Sequence, residues 1–368
     1  MHFFDLAALQ NLIMKTHKRD ILVVGAGPAG SSAAMTAARS GARVLMVERK
    51  AIVGSPVRCA EHIPGPLLKE VNLGRRFVVQ PVQGMRTILP GGEIRETRAP
   101  GFIIRRDLFD QTLAGEAETA GAEILLSGRV VSKNGNQVIL KQDNGLFSKI
   151  KAGVIIGADG PRSTVGRWIG SINRSLIPAV QVRVPLVRAM EFTEVYFDKE
   201  IYGGYGWLFP KGSVANVGLG MKKREGNYEP IGHVLKQFVS RLAEAGKIKG
   251  EILGNIAGWI PVEPLMKTTH ENILLVGDAA GQTNAITGAG VFQAVMCGCM
   301  AGKWAALAVE SGDLNLLSEY EREWRDLFGE TLERAFKRRQ LLEQEWDRLD
   351  EIIKYCWIAY REYYARSG

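Results

Sequence analysis

Residues 20–49 read DILVVGAGPAGSSAAMTAARSGARVLMVER, and this stretch decides the fold. Asp20 to Val24 is a short apolar strand. Ala29 to Ser40 is rich in alanine and predicts a helix, with Gly41 placed as its stop. Arg43 to Val47 is a second buried strand, so the segment is one βαβ unit. Gly25, Gly27 and Gly30 form GxGxxG between the first strand and the helix, the context that makes this pattern informative. Gly25 permits the tight turn, Gly27 lets the backbone approach a pyrophosphate, and Gly30 lets helix and strand pack closely. The helix N-terminus offers N–H groups and a positive dipole end to phosphates. Glu48 ends the second strand, where an acid accepts hydrogen bonds from ribose hydroxyls. The fingerprint by itself does not choose between NAD and FAD.

Working outward, residues 1–18 read as a weakly amphipathic N-terminal extension, and Met14 is an alternative start. Residues 76–102 predict a strand pair with turns at Pro81, Pro90–Gly92 and Pro100–Gly101. Arg106 to Ala120 predicts a helix. Strands are expected at 122–126, 138–140 and 153–157, and residues 178–220 are β-rich. Helices are expected at 230–247 and from Val291 to Glu310, with a strand at 273–276 between them. The tail from Leu314 is helical and charged. The domains that follow are an extension (1–18), a discontinuous nucleotide-binding domain (19–75, 103–177 and 254–312), a substrate-binding β-sheet domain (76–102 and 178–253) and a helical region (313–368).

At 368 residues, 46% apolar and 23% charged, the chain has a globular composition. No uninterrupted apolar run reaches the ~18–20 residues that cross a bilayer. The chain's start lacks a signal-peptide pattern. Four scattered cysteines make neither a disulfide framework nor a zinc or iron–sulfur site, and five scattered histidines add no metal motif. A reducing, cytoplasmic setting is expected, with peripheral contact at the inner face of the cell membrane as an extension of it. The net charge of +8 favours anionic partners, but no nucleic-acid motif accompanies it.

Two later motifs bear on the cofactor. Ile155-Ile-Gly-Ala-Asp159-Gly160 and Leu274-Leu-Val-Gly277-Asp278 each follow a strand. With GxGxxG first, a DG motif near the middle and a GD motif later, the chain resembles the FAD-dependent oxidoreductases related to p-hydroxybenzoate hydroxylase. The resemblance implies an α/β protein, α+β overall: a glutathione-reductase-type FAD-binding Rossmann domain, an inserted antiparallel β-sheet substrate domain and a C-terminal helical tail. It implies FAD contacts from Gly25, Gly27, Pro28, Ala29, Gly30, Glu48, Arg49, Arg58, Cys59, Ala60, Arg106, Val130, Asp159, Gly160, Gly277, Asp278, Gly288, Ala289 and Gly290. Asp278 would meet a ribityl hydroxyl, and Gly288 to Gly290 the flavin's pyrimidine edge. The helix from Val291 would stabilise an anionic reduced flavin. Arg106 alternatively pairs with Asp110 on its own helix, and Asp159 alternatively holds its own turn.

Pro56 to Glu61, containing Cys59, lies in the loop after the second strand. Tyr205-Gly-Trp207-Leu-Phe209-Pro210 leads after seven residues to Gly218-Leu-Gly220. Together these resemble the geranylgeranyl reductase family, across roughly residues 20–310. The chain departs from that pattern at Ala60 to Pro64, where the family often has a Gly, at Asn284 to Gly288, where it often has a Pro, and in its short length. The resemblance implies saturation of a prenyl chain's double bonds on a lipid, quinone or pigment precursor. Hydride would come from reduced flavin, with Cys59 or His62 as proton source. Tyr205, Trp207 and Phe209 share one strand face and can line an apolar substrate tunnel, or can simply be core. Glu61 is placed as an organiser of the loop.

No second GxGxxG is present for NAD(P)H, so the external reductant is transiently bound NAD(P)H or a protein donor such as reduced ferredoxin. Competing readings are a flavin monooxygenase or halogenase of an aromatic substrate and a non-catalytic electron-transfer protein. In the tail, Leu342, Leu349, Cys356 and Tyr363 recur every seven residues, interleaved with Trp346, Ile353 and Tyr360, downstream of Lys337-Arg338-Arg339. This stripe packs on the chain's own body, makes a homodimer or docks on a membrane.

Overall fold

The computed structural model describes residues 16–365, apart from 72, 225, 227, 228, 265 and 266. Ile21 to Val24 are all buried, as a central parallel strand covered on both faces requires. They lie in β1 (Thr16–Val24). The same sheet holds β2 (Val44–Val47), β6 (Glu123–Leu125), β7 (Gly128–Asn134), β8 (Gln137–Gln142), β9 (Phe147–Gly157), β15 (Thr269–His270) and β16 (Ile273–Leu275). Its main path runs β15-β16-β9-β1-β2-β6, with β7 and β8 as an antiparallel branch on β9. Residues 16–18, expected in the extension, belong to β1 and pair with β9. The expected amphipathic segment before them lies outside the described residues.

Helix α1 (Pro28–Arg39) packs on this sheet together with α6 (Val291–Ser311). α6 is long and apolar enough to cross a membrane by composition, although no uninterrupted apolar run had marked it. Gly298 and Gly302 explain where it sits. A side chain on either would collide with the Ala29 or Ala33 carbonyl of α1, at 2.4 and 2.3 Å. The two backbones therefore approach closely, and most of the helix is core.

The second sheet collects β3 (His62–Pro64), β4 (Val78–Ile88), β5 (Ile94–Ile104), β10 (Leu176–Pro185), β11 (Phe192–Tyr196), β12 (Tyr205–Lys211), β13 (Val214–Gly220) and β14 (Gly254–Pro261). Its order is β14-β10-β13-β12-β11-β4-β5-β3, antiparallel except for the β11–β4 pair. Gly254–Pro261, expected in the nucleotide domain, is this sheet's edge strand. The turns expected at Pro81 and Pro100–Gly101 are strand interior: Pro100 falls in the register slip between Val82 and Gly84, and Pro81 pairs with Phe102 ahead of the stretch of β4 that pairs with β11. The turn at Pro90–Gly92 does form. Helix α5 (Ile231–Glu244) covers one face of the sheet through Val234, Phe238 and Leu242. The other face meets the helical tail and the loop at Ala285 and Ile286.

Short helices α2 (Leu67–Glu70) and α4 (Thr164–Trp168) and the longer α3 (Arg106–Thr119) complete the body. The tail is α7 (Leu317–Trp324), α8 (Glu330–Gln344) and α9 (Leu349–Cys356), with a π-helical turn at Arg325–Gly329 joining α7 to α8 and a 3₁₀ turn at Trp346–Arg348 between α8 and α9. The seven-residue stripe lies inside: Leu342, Trp346, Leu349, Ile353, Cys356, Tyr360 and Tyr363 are buried with Val195, Phe197 and Ala285.

Candidate active site

The β1–α1 turn is built by its glycines. Gly25 has φ +104, and a side chain there would fall 2.4 Å from the Ala158 carbonyl. A side chain on Gly30 would fall 1.9 Å from the Gly25 carbonyl. Gly27 differs: its side-chain position has nothing within 4 Å. No side chain caps α1, and Pro28 at its start lacks an N–H, so the Ala29 and Gly30 donors are turned to the open space above Gly27. The Glu48 carboxylate accepts from the Ala26 N–H at 2.9 Å and the Lys50 N–H at 3.0 Å. It closes the cradle and keeps lone pairs for a ribose. Arg49 and Arg58 are exposed beside it, and Val130 is core on β7.

Asp159 holds its own turn. Its carboxylate accepts from the Ser163 hydroxyl and from the Thr164 and Val165 N–H groups. Burial nevertheless pushes its pKa up. Gly160 beside it has φ +84 with open space around it. Asn173, which sequence reasoning missed, ties this loop to the GD loop by donating to the carbonyls of Pro161 and Asp278, at 2.9 and 2.8 Å. Gly277, at φ +65, donates to Gln282, which donates to Tyr320 of α7, which donates to the Leu275 carbonyl. Asp278 accepts from Thr283 at 2.9 Å.

The loop Asn284–Gly290 is knit around Asn284, whose side chain accepts from the Ile286 and Thr287 N–H groups. The Gly288 N–H donates to the Asn284 carbonyl and the Ala289 N–H to the Thr287 hydroxyl. Of the three residues expected at the pyrimidine edge, Gly290 stands at the N-terminus of α6, which no side chain caps. That is a second helix start without a side-chain cap, after α1.

Cys59 lies in the loop after β2. Glu61, two residues on, has φ +69 and is buried. Its carboxylate accepts from the Arg106 N–H at 3.0 Å, from Asn216 at 2.9 Å and from Lys211. The cysteine loop is thereby pinned to α3, β12 and β13. Arg106 meets the second of its two expectations, pairing with Asp110 at 3.0 Å, and its guanidinium lies close to the Cys59 thiol. Burial pulls its pKa down, but Asp110 and Cys59 outweigh that and raise it.

Tyr205, Trp207 and Phe209 share the face of β12 turned away from α5. Trp207 donates to Gln181 at 2.9 Å, and Gln181 donates to the Cys59 carbonyl at 3.4 Å. Tyr205 donates to the Thr287 carbonyl and packs edge-on to Trp207 and Trp357. Phe209 packs edge-on to His62, 5.9 Å between centroids. One aromatic face thus touches the cysteine loop, the Asn284–Gly290 loop and the tail.

Burial pushes the His62 pKa down to about 4. At neutral pH the ring is uncharged and is a poor proton donor. Its folded value lies below the ordinary 6.5, so protonation favours the unfolded chain. The associated stability is fully present above pH 6.5 and is lost as pH falls toward 4. Urea unfolding at pH 7 and pH 4.5 is expected to show His62→Leu removing up to roughly 3 kcal/mol of the pH dependence. An unchanged slope would place the ring in water.

Residues 20–160 match the FAD dependent oxidoreductase family, and residues 178–260 match the geranylgeranyl reductase catalytic domain. A digeranylgeranylglycerophospholipid reductase of Methanococcoides burtonii is 36% identical over 334 residues, covering 84% of this chain and 80% of the relative. The chain belongs to the geranylgeranyl reductase family. A second such relative, from Methanosarcina acetivorans, is 35% identical over 367 residues, 93% of this chain and 86% of that one. Among solved structures, a geranylgeranyl bacteriochlorophyll reductase-like protein from Thermoplasma acidophilum superposes with a TM-score of 0.81 at 29% identity, covering 91% and 92% of the two chains. A flavin-dependent brominase superposes at 0.72 with 17% identity, a likeness of fold alone.

The reductase is therefore a FAD-dependent oxidoreductase, and its residues fit that cofactor. The space above Gly27 suits a pyrophosphate, Glu48 a ribose, and the uncapped start of α6 an electron-rich ring edge. Sequence reading of the reductase missed Asn173, Gln181 and Gln282, single amides with no motif around them.

Proposed function

We propose that the reductase saturates carbon–carbon double bonds of geranylgeranyl-type chains carried on a glycerophospholipid. The observation that carries this is the aromatic face of β12, joined through Gln181 to the backbone of the cysteine loop. An unactivated alkene offers no polar handle, so it must be held by shape and apolar contact at near-attack distance. Tyr205, Trp207 and Phe209 supply such a surface. Reduced FAD supplies the hydride. The proton for the second carbon comes from the Cys59 thiol, which lies beside the Arg106 guanidinium, and solvent returns it. The names of the relatives support the lipid class. Electrons arrive from NAD(P)H or a reduced ferredoxin, whose acidity the net charge of +8 suits. The substrate's bilayer residence places the enzyme at a membrane surface.

A single anaerobic turnover tests this. Protein reduced with dithionite and given a digeranylgeranyl glycerophospholipid is expected to yield product heavier by two hydrogens, with the flavin reoxidised. Oxygen insertion into an aromatic acid in air, without hydrogenation, would overturn it. Cys59→Ser is expected to slow the flavin reoxidation on the order of 10²-fold with flavin content unchanged. An unaltered rate would remove Cys59 from the chemistry.

A further inference from the structure

Arg339 sits on α8, far from the nucleotide fingerprint, yet it is only 4% exposed. A guanidinium is buried to that extent only when its donors are used. Nη1 donates to the Ala285 carbonyl at 2.9 Å, and Nη2 donates to the Gly203 carbonyl. Nε faces Glu343 one turn along at 2.7 Å, as facing charges rather than a linear hydrogen bond. Glu343 also holds Lys222 at 2.6 Å. Gly203 has φ +63, the left-handed backbone that glycine adopts without strain, and its carbonyl meets Nη2.

The two carbonyls belong to the two halves of the site. Ala285 is in the Asn284–Gly290 loop at the start of α6. Gly203 is two residues before Tyr205, whose hydroxyl donates to Thr287 in that same loop. α8, the loop and β12 therefore form a closed circuit through Arg339 and Tyr205. Ala285 and Thr287 are held from outside the loop, while Asn284 fixes its interior.

We infer that Arg339 is a positioning residue: it sets the separation between the flavin-edge loop Asn284–Gly290 and the aromatic strand bearing Tyr205. This rests on reading that loop as the flavin edge. A shift of about an ångström between loop and strand would move the double bond off the hydride path without emptying either site. A lysine could reach one carbonyl but could not span both, since its ammonium is a point donor where the guanidinium is a fork.

The test uses the FAD-loaded full chain. Arg339→Met combined with Glu343→Gln removes both charges, so no bare carboxylate is left buried. Flavin content is expected to hold, the visible flavin bands to shift, and the single-turnover rate to fall on the order of 10–100-fold. KM should stay within about 3-fold, because the interaction acts on the transition state rather than on uniform binding. Arg339→Lys should recover only part of the rate. Lowered melting temperature with wild-type bands and rate would overturn the inference and leave Arg339 as scaffold. Gly290→Ala acts on the loop directly and separates the two failures. If it leaves the bands untouched, the loop is not the flavin edge and the inference falls with that reading. If it shifts them while the Arg339 variant does not, only the positioning role falls.

Discussion

Gly27→Val is expected to give a folded protein that does not keep its flavin. The backbone at this position is extended, with φ −76 and ψ −176, a conformation valine adopts readily. The new side chain would enter space with no protein atom within 4 Å, so the fold has no reason to object. It would occupy the room a pyrophosphate needs above the Ala29 and Gly30 donors. Charge-assisted hydrogen bonds contribute ~1.5–3 kcal/mol each. Losing two weakens FAD retention on the order of 10²–10⁴-fold. Absorbance at the flavin bands after gel filtration, with circular dichroism as the check on folding, reads the result. A variant that elutes fully yellow would falsify the cradle. Gly30→Val is the contrast, since its side chain would fall 1.9 Å from the Gly25 carbonyl and should prevent the turn itself from forming.

Glu61→Ala is expected to lower the unfolding free energy by roughly 3–5 kcal/mol, the usual effect of removing one partner of a buried ion pair. Lys211 would be left with an uncompensated charge, its side chain 14% exposed, and the Arg106 N–H and the Asn216 amide would each lose an acceptor. A domain holds only about 5–15 kcal/mol in total, so the variant should melt far earlier. The loss should be partly reversed by Lys211→Met in the same chain, because an apolar side chain needs no partner there. Urea titration of the four proteins of that cycle gives the coupling directly. If the single variant loses under about 1 kcal/mol, water reaches the pair and the loop is held by other contacts. Turnover should fall with stability, since Cys59 is two residues away.

The nucleotide half was legible because its signals are local. Glycines at Gly25, Gly27 and Gly30 each answer a steric demand within one turn, and Glu48 follows within the same βαβ unit. The second sheet was harder to read. Its strands come from five separated stretches, and no local pattern says that Gly254–Pro261 pairs with Leu176–Arg183 rather than with the parallel sheet. Pro81 and Pro100 read as turn residues because proline usually breaks a ladder, and only tertiary register shows where a missing N–H does no harm. In the tail, the seven-residue stripe was visible while the break at Glu345 was not. The stripe also held a signal that went unread. Arg339 stands seven residues before Trp346, on the series that continues through Ile353 and Tyr360. A guanidinium on an apolar series implies buried acceptors. The family resemblance rested on Cys59 and on the Tyr205 to Pro210 segment, and the relatives bear out the family it named.

The contacts between hairpin and tail carry a consequence for synthesis. Trp357 donates to Thr87 at 2.8 Å, and Arg95 donates to the Ala359 carbonyl at 2.9 Å, so β4 and β5 are finished by residues made some 270 positions later. At ~5–20 residues per second, the hairpin waits roughly 15–50 s on the ribosome with its inner face uncovered. Met85, Thr87 and the neighbouring Val195 are then open to solvent and to chaperones until Trp357 and its neighbours are made. The nucleotide domain cannot shorten that wait, because the cover lies some 270 residues downstream of the hairpin.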